Sequence, residues 1–221
     1  MEFIIGLVDD DDGQLATIRR TIKINAPKDI KCDFKSYDLA GASDSLVSTV
    51  YKEIIDDVES GCLSLLIIDY KIMIKADKVE GTDIYEKIRR AVPQFPVIML
   101  TNVIDDCINH SFVDPDKVYR KSDFFRTDEG YSKEKTANIF RNMQRYVTAR
   151  IDLESRLSNL KDRLVDENQS QELYNELIRT ENELDEYKPL DETQMEKAFD
   201  TSAIKEAIEL LEKADAMLED K

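Results

Sequence analysis

Tryptophan is absent, histidine occurs once, and the three cysteines, Cys32, Cys62 and Cys107, are odd in number and far apart. With no CxxC pair and a single imidazole, neither a disulfide framework nor a zinc site is indicated, so the cysteines are expected to be buried small apolar residues. His110 lies in a polar stretch and is expected to be a partly exposed residue with no chemical role. Long apolar runs are also missing. The longest, Phe3 to Val8 and Leu63 to Ile68, are strand-sized and far short of a membrane span, and the N-terminus lacks the basic start of a signal peptide. The expectation is a cytoplasmic protein that does not engage a membrane.

What is present is enough apolar material for a core, 42% of 221 residues, and 35% charged residues, which imply much exposed surface. The net charge of -16 is uneven: residues 151–221 hold 21 acidic and nine basic side chains, net -12, which leaves -4 for the first 150. Such a tail repels nucleic acid, and no basic recognition helix or aromatic base-stacking platform follows residue 125.

Residues 1 to about 125 alternate apolar strands with amphipathic helices, the pattern of a parallel sheet covered on both faces. Strands are predicted at Phe3 to Asp9, Cys32 to Tyr37, Leu63 to Asp69, Pro96 to Thr101 and Lys117 to Arg120. The first, third and fourth are apolar throughout, as doubly buried central strands should be, and the other two read as edges. Helices are predicted at Gln14 to Ile24, Asp44 to Val58, Gly81 to Val92 and, more briefly, Ile104 to His110, with Asp44 a candidate cap for the second.

From about Ser132 the chain changes character. Ile139, Met143, Tyr146, Arg150, Leu153, Leu157, Leu160 and Leu164 recur at alternating spacings of four and three, a coiled-coil seam that only Arg150 interrupts. Leu173, Leu177, Thr180, Leu184 and Tyr187 resume the spacing out of register, and Asn168 to Ser170 supply turn residues between, so a helical hairpin fits better than one rod. Pro189 should end that helix, and Met195, Phe199, Ile204, Ile208, Leu211 and Leu218 supply the apolar face of one or two more. These stripes fit intramolecular packing, a homodimer or a protein partner equally well.

In an open parallel sheet, ligands bind beyond the carboxyl ends of the strands, so polar residues ending apolar strands are the ones to weigh. The first strand ends in Asp9, Asp10, Asp11 and Asp12, the third in Asp69, the fourth in Thr101, and Lys121 follows the fifth. Grouped carboxylates repel each other unless a hard cation such as Mg2+ binds, and that cation would also screen a phosphoryl group from a nucleophilic carboxylate. A lysine at the same rim can neutralise phosphoryl oxygens, and a threonine hydroxyl can donate to them. Metal-assisted phosphoryl transfer is the chemistry this set suggests.

Leu-Val-Asp9-Asp10, Leu-Ile-Ile-Asp69, Ile-Met-Leu-Thr101 and Tyr-Arg-Lys121 resemble the successive motifs of response-regulator receivers, over roughly residues 1–150. The resemblance implies a flavodoxin-like, doubly wound, five-stranded parallel sheet of order 2-1-3-4-5, followed by an acidic all-helical extension, 151–221, continuous with the last receiver helix. It further implies that Asp9 and Asp10 are the metal-binding acid pair, that the Lys71 carbonyl completes the Mg2+ site with Asp69, and that Asp69 accepts phosphate from a histidine kinase or phosphotransfer protein. Thr101 and Lys121 would then engage the phosphoryl group. Signalling would pass through protein contacts of the helical region, with no separate output enzyme.

The family pattern is not followed everywhere. The loop from Tyr70 to Glu80, carrying Lys75 and Lys78, is about four residues longer than usual and lacks its proline. Ser122 stands where receivers have proline, and Val118 where a switching aromatic is common, with Tyr119 expected to face the other way. These departures also describe a degenerate receiver, kept as a binding module. A further alternative is a haloacid-dehalogenase-type phosphatase using Asp10 and Asp12, because Asp10 to Leu15 resembles that family's DxDGTL motif; it would leave Asp69 without a role.

Overall fold

The computed structural model describes residues 2–37, 39, 43–74, 77–166 and 171–189. Five strands, β1 (Glu2–Val8), β2 (Lys31–Ser36), β3 (Leu65–Asp69), β6 (Val97–Thr101) and β7 (Val118–Arg120), form one sheet in the order β2-β1-β3-β6-β7. Every pairing in it is parallel. Numbered among themselves, these strands run 2-1-3-4-5, the doubly wound order. β3 and β6 are buried at every position, as doubly covered central strands must be, whereas β2 is mostly exposed, as an edge is.

Strand alternation sends side chains to two cores, one on each face. Phe3, Ile5, Leu7, Leu65, Ile67, Ile98 and Leu100 pack with α1 (Asp12–Asn25) and α6 (Gly130–Asp166). Leu66, Ile68, Val97 and Met99 pack with α2 (Ser43–Glu59), α3 (Gly81–Ala91) and α4 (Ile104–Ile108). Val118 falls in the second core and Tyr119 in the first, so consecutive residues of β7 do face opposite ways. Asp11 ends the β1 loop as the cap of α1, accepting the amides of Gly13 and Gln14. α2 begins one residue before Asp44, whose side chain lies outside the described residues.

The stretch expected to be a loop contains an antiparallel hairpin, β4 (Lys71–Ile74) with β5 (Asp77–Glu80), in which Ile72 pairs with Val79. Residues 75–76, and the side chains of 73–79, Lys75 and Lys78 included, lie outside the described residues. The Gly81 amide donates to the Tyr70 carbonyl at 2.8 Å, so the insertion closes on itself and α3 starts beside Asp69. The shorter α4 ends at Ile108, leaving His110 in the turn that follows. Cys107 is buried as expected, but Cys32 is half-buried and Cys62 exposed. Cys62 follows Gly61, whose positive φ of 74° ends α2, and the adjacent Leu63 takes the inward position instead.

α6 passes residue 150 without a break and reaches Asp166. Its stripe is shared between two partners. Ile139, Met143 and Tyr146 are buried against the domain, while Leu160 is buried in the overhang, where α7 (Gln171–Asp185) packs back on α6. Arg156–Glu176 and Lys161–Glu181 pairs cross this seam. α7 stops four residues before Pro189, and Tyr187 lies in the turn beyond it, stacked on Tyr146. The Tyr146 hydroxyl donates to the Tyr187 carbonyl at 2.6 Å, and the Gln94 amide to the Glu186 carbonyl at 2.9 Å, which docks the returning hairpin on the domain. The expected turn at 168–170 and the apolar face from Met195 to Leu218 lie outside the described residues.

Arg150, the one break in the apolar spacing, is buried and has a specific task. Its guanidinium donates to the carbonyls of Val58 and Glu59 at the end of α2 and pairs with Glu154; the Val58 carbonyl also accepts the Gly61 amide. Arg150→Leu is expected to cost about 1–3 kcal/mol, because the Val58 and Glu59 carbonyls lose a charged donor. A thermal melt should show a drop of roughly 4–8 °C for a mid-range loss of about 2 kcal/mol; an unchanged melting temperature would contradict the capping role.

Candidate functional site

The acidic loop, Asp69, Thr101 and Lys121 come together at one rim because β1, β3, β6 and β7 all end there. Asp9 follows β1 directly and is buried, while Asp10 beside it is exposed. Asp69 is the last residue of β3, and one carboxylate oxygen each from Asp9, Asp10 and Asp69 lie within 4.8 Å of one another. Three hard oxygen donors that close, on two adjacent strands, fit a hard divalent cation. Asp12 lies outside this group; it opens α1 and is exposed.

Lys121, the first residue of the short helix α5 (Lys121–Phe124), is 4% exposed, which for an ammonium demands charged partners. Its Nζ lies 2.8 Å from Asp9 Oδ2 and 2.9 Å from Asp69 Oδ2, and it also donates to Gln14 Oε1. Gln14 was not singled out from sequence, yet it sits one turn into α1 with its amide nitrogen on Asp11, which holds its oxygen toward Lys121. Its only sequence signal is position: an α1 residue just past an acidic strand end faces the same rim.

Thr101 is buried, one residue beyond Leu100, the partner of Asp69 across the β3–β6 pairing. Its hydroxyl oxygen accepts the Val103 amide at 3.0 Å, which leaves its proton for an acceptor above the rim. Lys71 opens β4. Its backbone N–H is bonded to Asp69, and its side chain points to Asp106 at 3.6 Å. His110, given no role from sequence, pairs with Glu80 at 3.4 Å and meets Tyr70 edge-on, so it ties the base of the inserted hairpin to the end of α4.

Burial pushes the Asp69 carboxyl up from its ordinary value, and the negative Asp9 adds to this; Lys121 and the Lys71 amide pull it back down. Asp69 is therefore a carboxylate held charged mainly by one lysine, in a place where a second cation would be welcome.

Gly81 is required by this geometry. A Cβ there would lie 1.9 Å from the Asp69 carbonyl oxygen and 2.7 Å from Ile68 Cγ2. Gly81→Ala is expected to cost about 1–3 kcal/mol and to shift Asp69. A thermal melt would check it; a wild-type melting temperature would mean that the close approach of α3 to Asp69 is unimportant.

No family model and no curated protein matches the chain. Among solved structures it is similar to one of the RcsB response regulator from Salmonella typhimurium, concerned with conformational dynamism for DNA interaction. The two are 13% identical, over 86% of this chain and 94% of that one, with a TM-score of 0.43. The strand order, with carboxylates, threonine and lysine at the carboxyl rim of that sheet, settles the architecture from this chain's own geometry. The domain has the flavodoxin-like, doubly wound fold. Added to the five-stranded sheet are the β4–β5 hairpin between Asp69 and Gly81 and the long α6. Among the described residues, no helix is long and apolar enough to cross a membrane.

Proposed function

We propose that the chain is a response regulator of a two-component phosphorelay in which Asp69 accepts a phosphoryl group from a histidine kinase or phosphotransfer protein. The observation that carries this is the buried Lys121 ammonium bridging Asp9 and Asp69, with Asp10 alongside. An Asp69 oxygen attacks phosphorus, an acyl phosphate forms, and the bond from phosphorus to the donor breaks. Asp9, Asp10, Asp69 and the Lys71 carbonyl would hold Mg2+. Bound there, the cation neutralises charge on both the carboxylates and the phosphoryl oxygens. Lys121 then exchanges Asp69 for a phosphoryl oxygen, and Thr101 donates its free hydroxyl proton to another.

Residues 1–150 are taken as the phospho-accepting domain and 151–221 as the acidic helical extension through which the signal leaves, by contact with a protein partner or a second copy. The unbroken course of α6 through residue 150 supports this route. The charge of the extension argues against nucleic acid as its target. The phosphatase alternative is disfavoured because Asp12 stands outside the acid cluster while Asp69 is within it. The test is intact mass after incubation with Mg2+ and acetyl phosphate. One added phosphoryl group on the wild type and none on Asp69→Asn is expected. No gain on either, even with a cognate kinase present, would leave a degenerate receiver.

A further inference from the structure

A second polar site lies at the other end of the sheet. Between the last turn of α3, the segment leading into β6, the short 3-10 turn Pro115–Lys117 and α6 is a cavity of about 180 Å3. It sits at the entry of β6 and β7, whereas Thr101 and Lys121 mark their exits, so about 15 Å of strand separates it from the acidic rim. Three cations line it, Arg89, Lys117 and Arg145, with one carboxylate, Asp114. In a chain of net charge -16, three basic side chains from three elements converge on this one cavity.

Ordinary structural duties do not use these groups up. Arg89 gives one of its nitrogens to the Pro93 carbonyl, and the Asp114 carboxylate accepts the Asp116 amide. Lys117 and Arg145 have no ion-pair or hydrogen-bond partner for their side chains among the described residues. A further donor is buried in the wall. Tyr85 is 1% exposed, and its hydroxyl oxygen accepts the Asp114 amide at 3.4 Å while its own proton has no acceptor among the described residues. That proton is available to an acceptor in the cavity. Donors of fixed geometry combined with excess positive charge select a ligand rich in acceptor oxygens. The volume is below the roughly 300–1,000 Å3 of drug-sized pockets, so the ligand is small or enters by one group.

We propose that this cavity binds a small phosphate-bearing ligand, and that its occupancy holds the end of the α6–α7 hairpin on the domain. The coupling follows from the lining, since Tyr146 and Tyr187, whose stacking and hydrogen bond dock the hairpin, form part of the same wall. This inference stands apart from phosphorylation at Asp69, which uses the opposite rim.

The experiment is calorimetric titration of the full chain, without Mg2+ and at matched ionic strength, with inorganic phosphate and with glycerol 3-phosphate. Saturable binding is expected for at least one of them, and the tighter of the two names the source of the phosphate. Affinity should be the same in Asp69→Asn, should fall about tenfold or more in a Lys117→Gln/Arg145→Gln variant, and should fall by a smaller factor in Tyr85→Phe. The bound probe should slow hydrogen exchange at residues 184–189. Arg145 is exposed and Lys117 half-buried with no side-chain partner among the described residues, so the double variant should melt as the wild type does without anion. The proposal is overturned by absence of saturable binding, by binding that survives the double variant, or by binding that tightens in Asp69→Asn, where loss of a carboxylate beside Lys121 would favour an anion at the acidic rim.

Discussion

Lys121→Met should cost roughly 3–5 kcal/mol in the absence of divalent cations, or about 6–20 °C in melting temperature. Two buried carboxylates, Asp9 and Asp69, then face each other with Asp10 nearby and no cation between them. Leaving a buried charge without its partner is far more damaging than losing a surface pair. Mg2+ at ten times its Kd adds about 1.4 kcal/mol to any chain that binds it only when folded. The variant should gain more than the wild type, because the ion replaces the missing lysine charge as well as filling its own site. Acidification should also narrow the deficit, since a proton on one carboxylate relieves the repulsion. Equal Mg2+ gains in the two proteins would show that lysine and metal do not share the carboxylates.

Asp69→Asn should abolish phosphorylation entirely and, in the metal-free protein at neutral pH, raise stability. The folded Asp69 carboxyl is pushed above its ordinary value by burial and by Asp9. For an acid raised on folding, the stabilising form is the protonated one. Its contribution is fully present below the unfolded value of about 3.9 and is lost as pH rises through the higher folded value. Asparagine keeps the neutral state at every pH, and Lys121 still has Asp9 and Gln14. The gain over wild type should therefore appear above that window and vanish at pH values below about 4. Saturating Mg2+ should reverse the order, because wild type then has the better metal site. Melts over a pH series with and without Mg2+ check both; a variant less stable than wild type throughout would mean that Lys121 contributes more to Asp69 than burial costs.

Much of this was legible in the sequence for physical reasons. Doubly buried strands must be apolar along their whole length, so β1, β3 and β6 announce themselves, and the polar residues ending them announce the rim. Boundaries moved by a residue or two, as at Leu63 and Ser64, which are buried but precede β3. The hairpin at 71–80 was missed because its apolar run, Ile72-Met73-Ile74, is only three residues long and its second strand, Asp77–Glu80, is mostly charged. Arg150 looked like a flaw in a coiled-coil seam because its partners, the carbonyls ending α2, are about ninety residues away and invisible to periodicity. Gln14 and His110 owe their positions to tertiary neighbours in the same way. Cys62 shows the limit of composition: a residue type usually buried is exposed because a glycine turn assigns the inward place to its neighbour.

The central claim is that Asp69, and not an aspartate of the β1 loop, becomes the acyl phosphate. The most direct measurement traps that species: the protein is incubated with Mg2+ and acetyl phosphate, reduced with borohydride, which converts an aspartyl phosphate to homoserine, and mapped by peptide mass spectrometry. Homoserine at position 69 alone is expected. Homoserine at position 10, the nucleophile of a dehalogenase-type site, with an unmodified residue 69 would contradict the account.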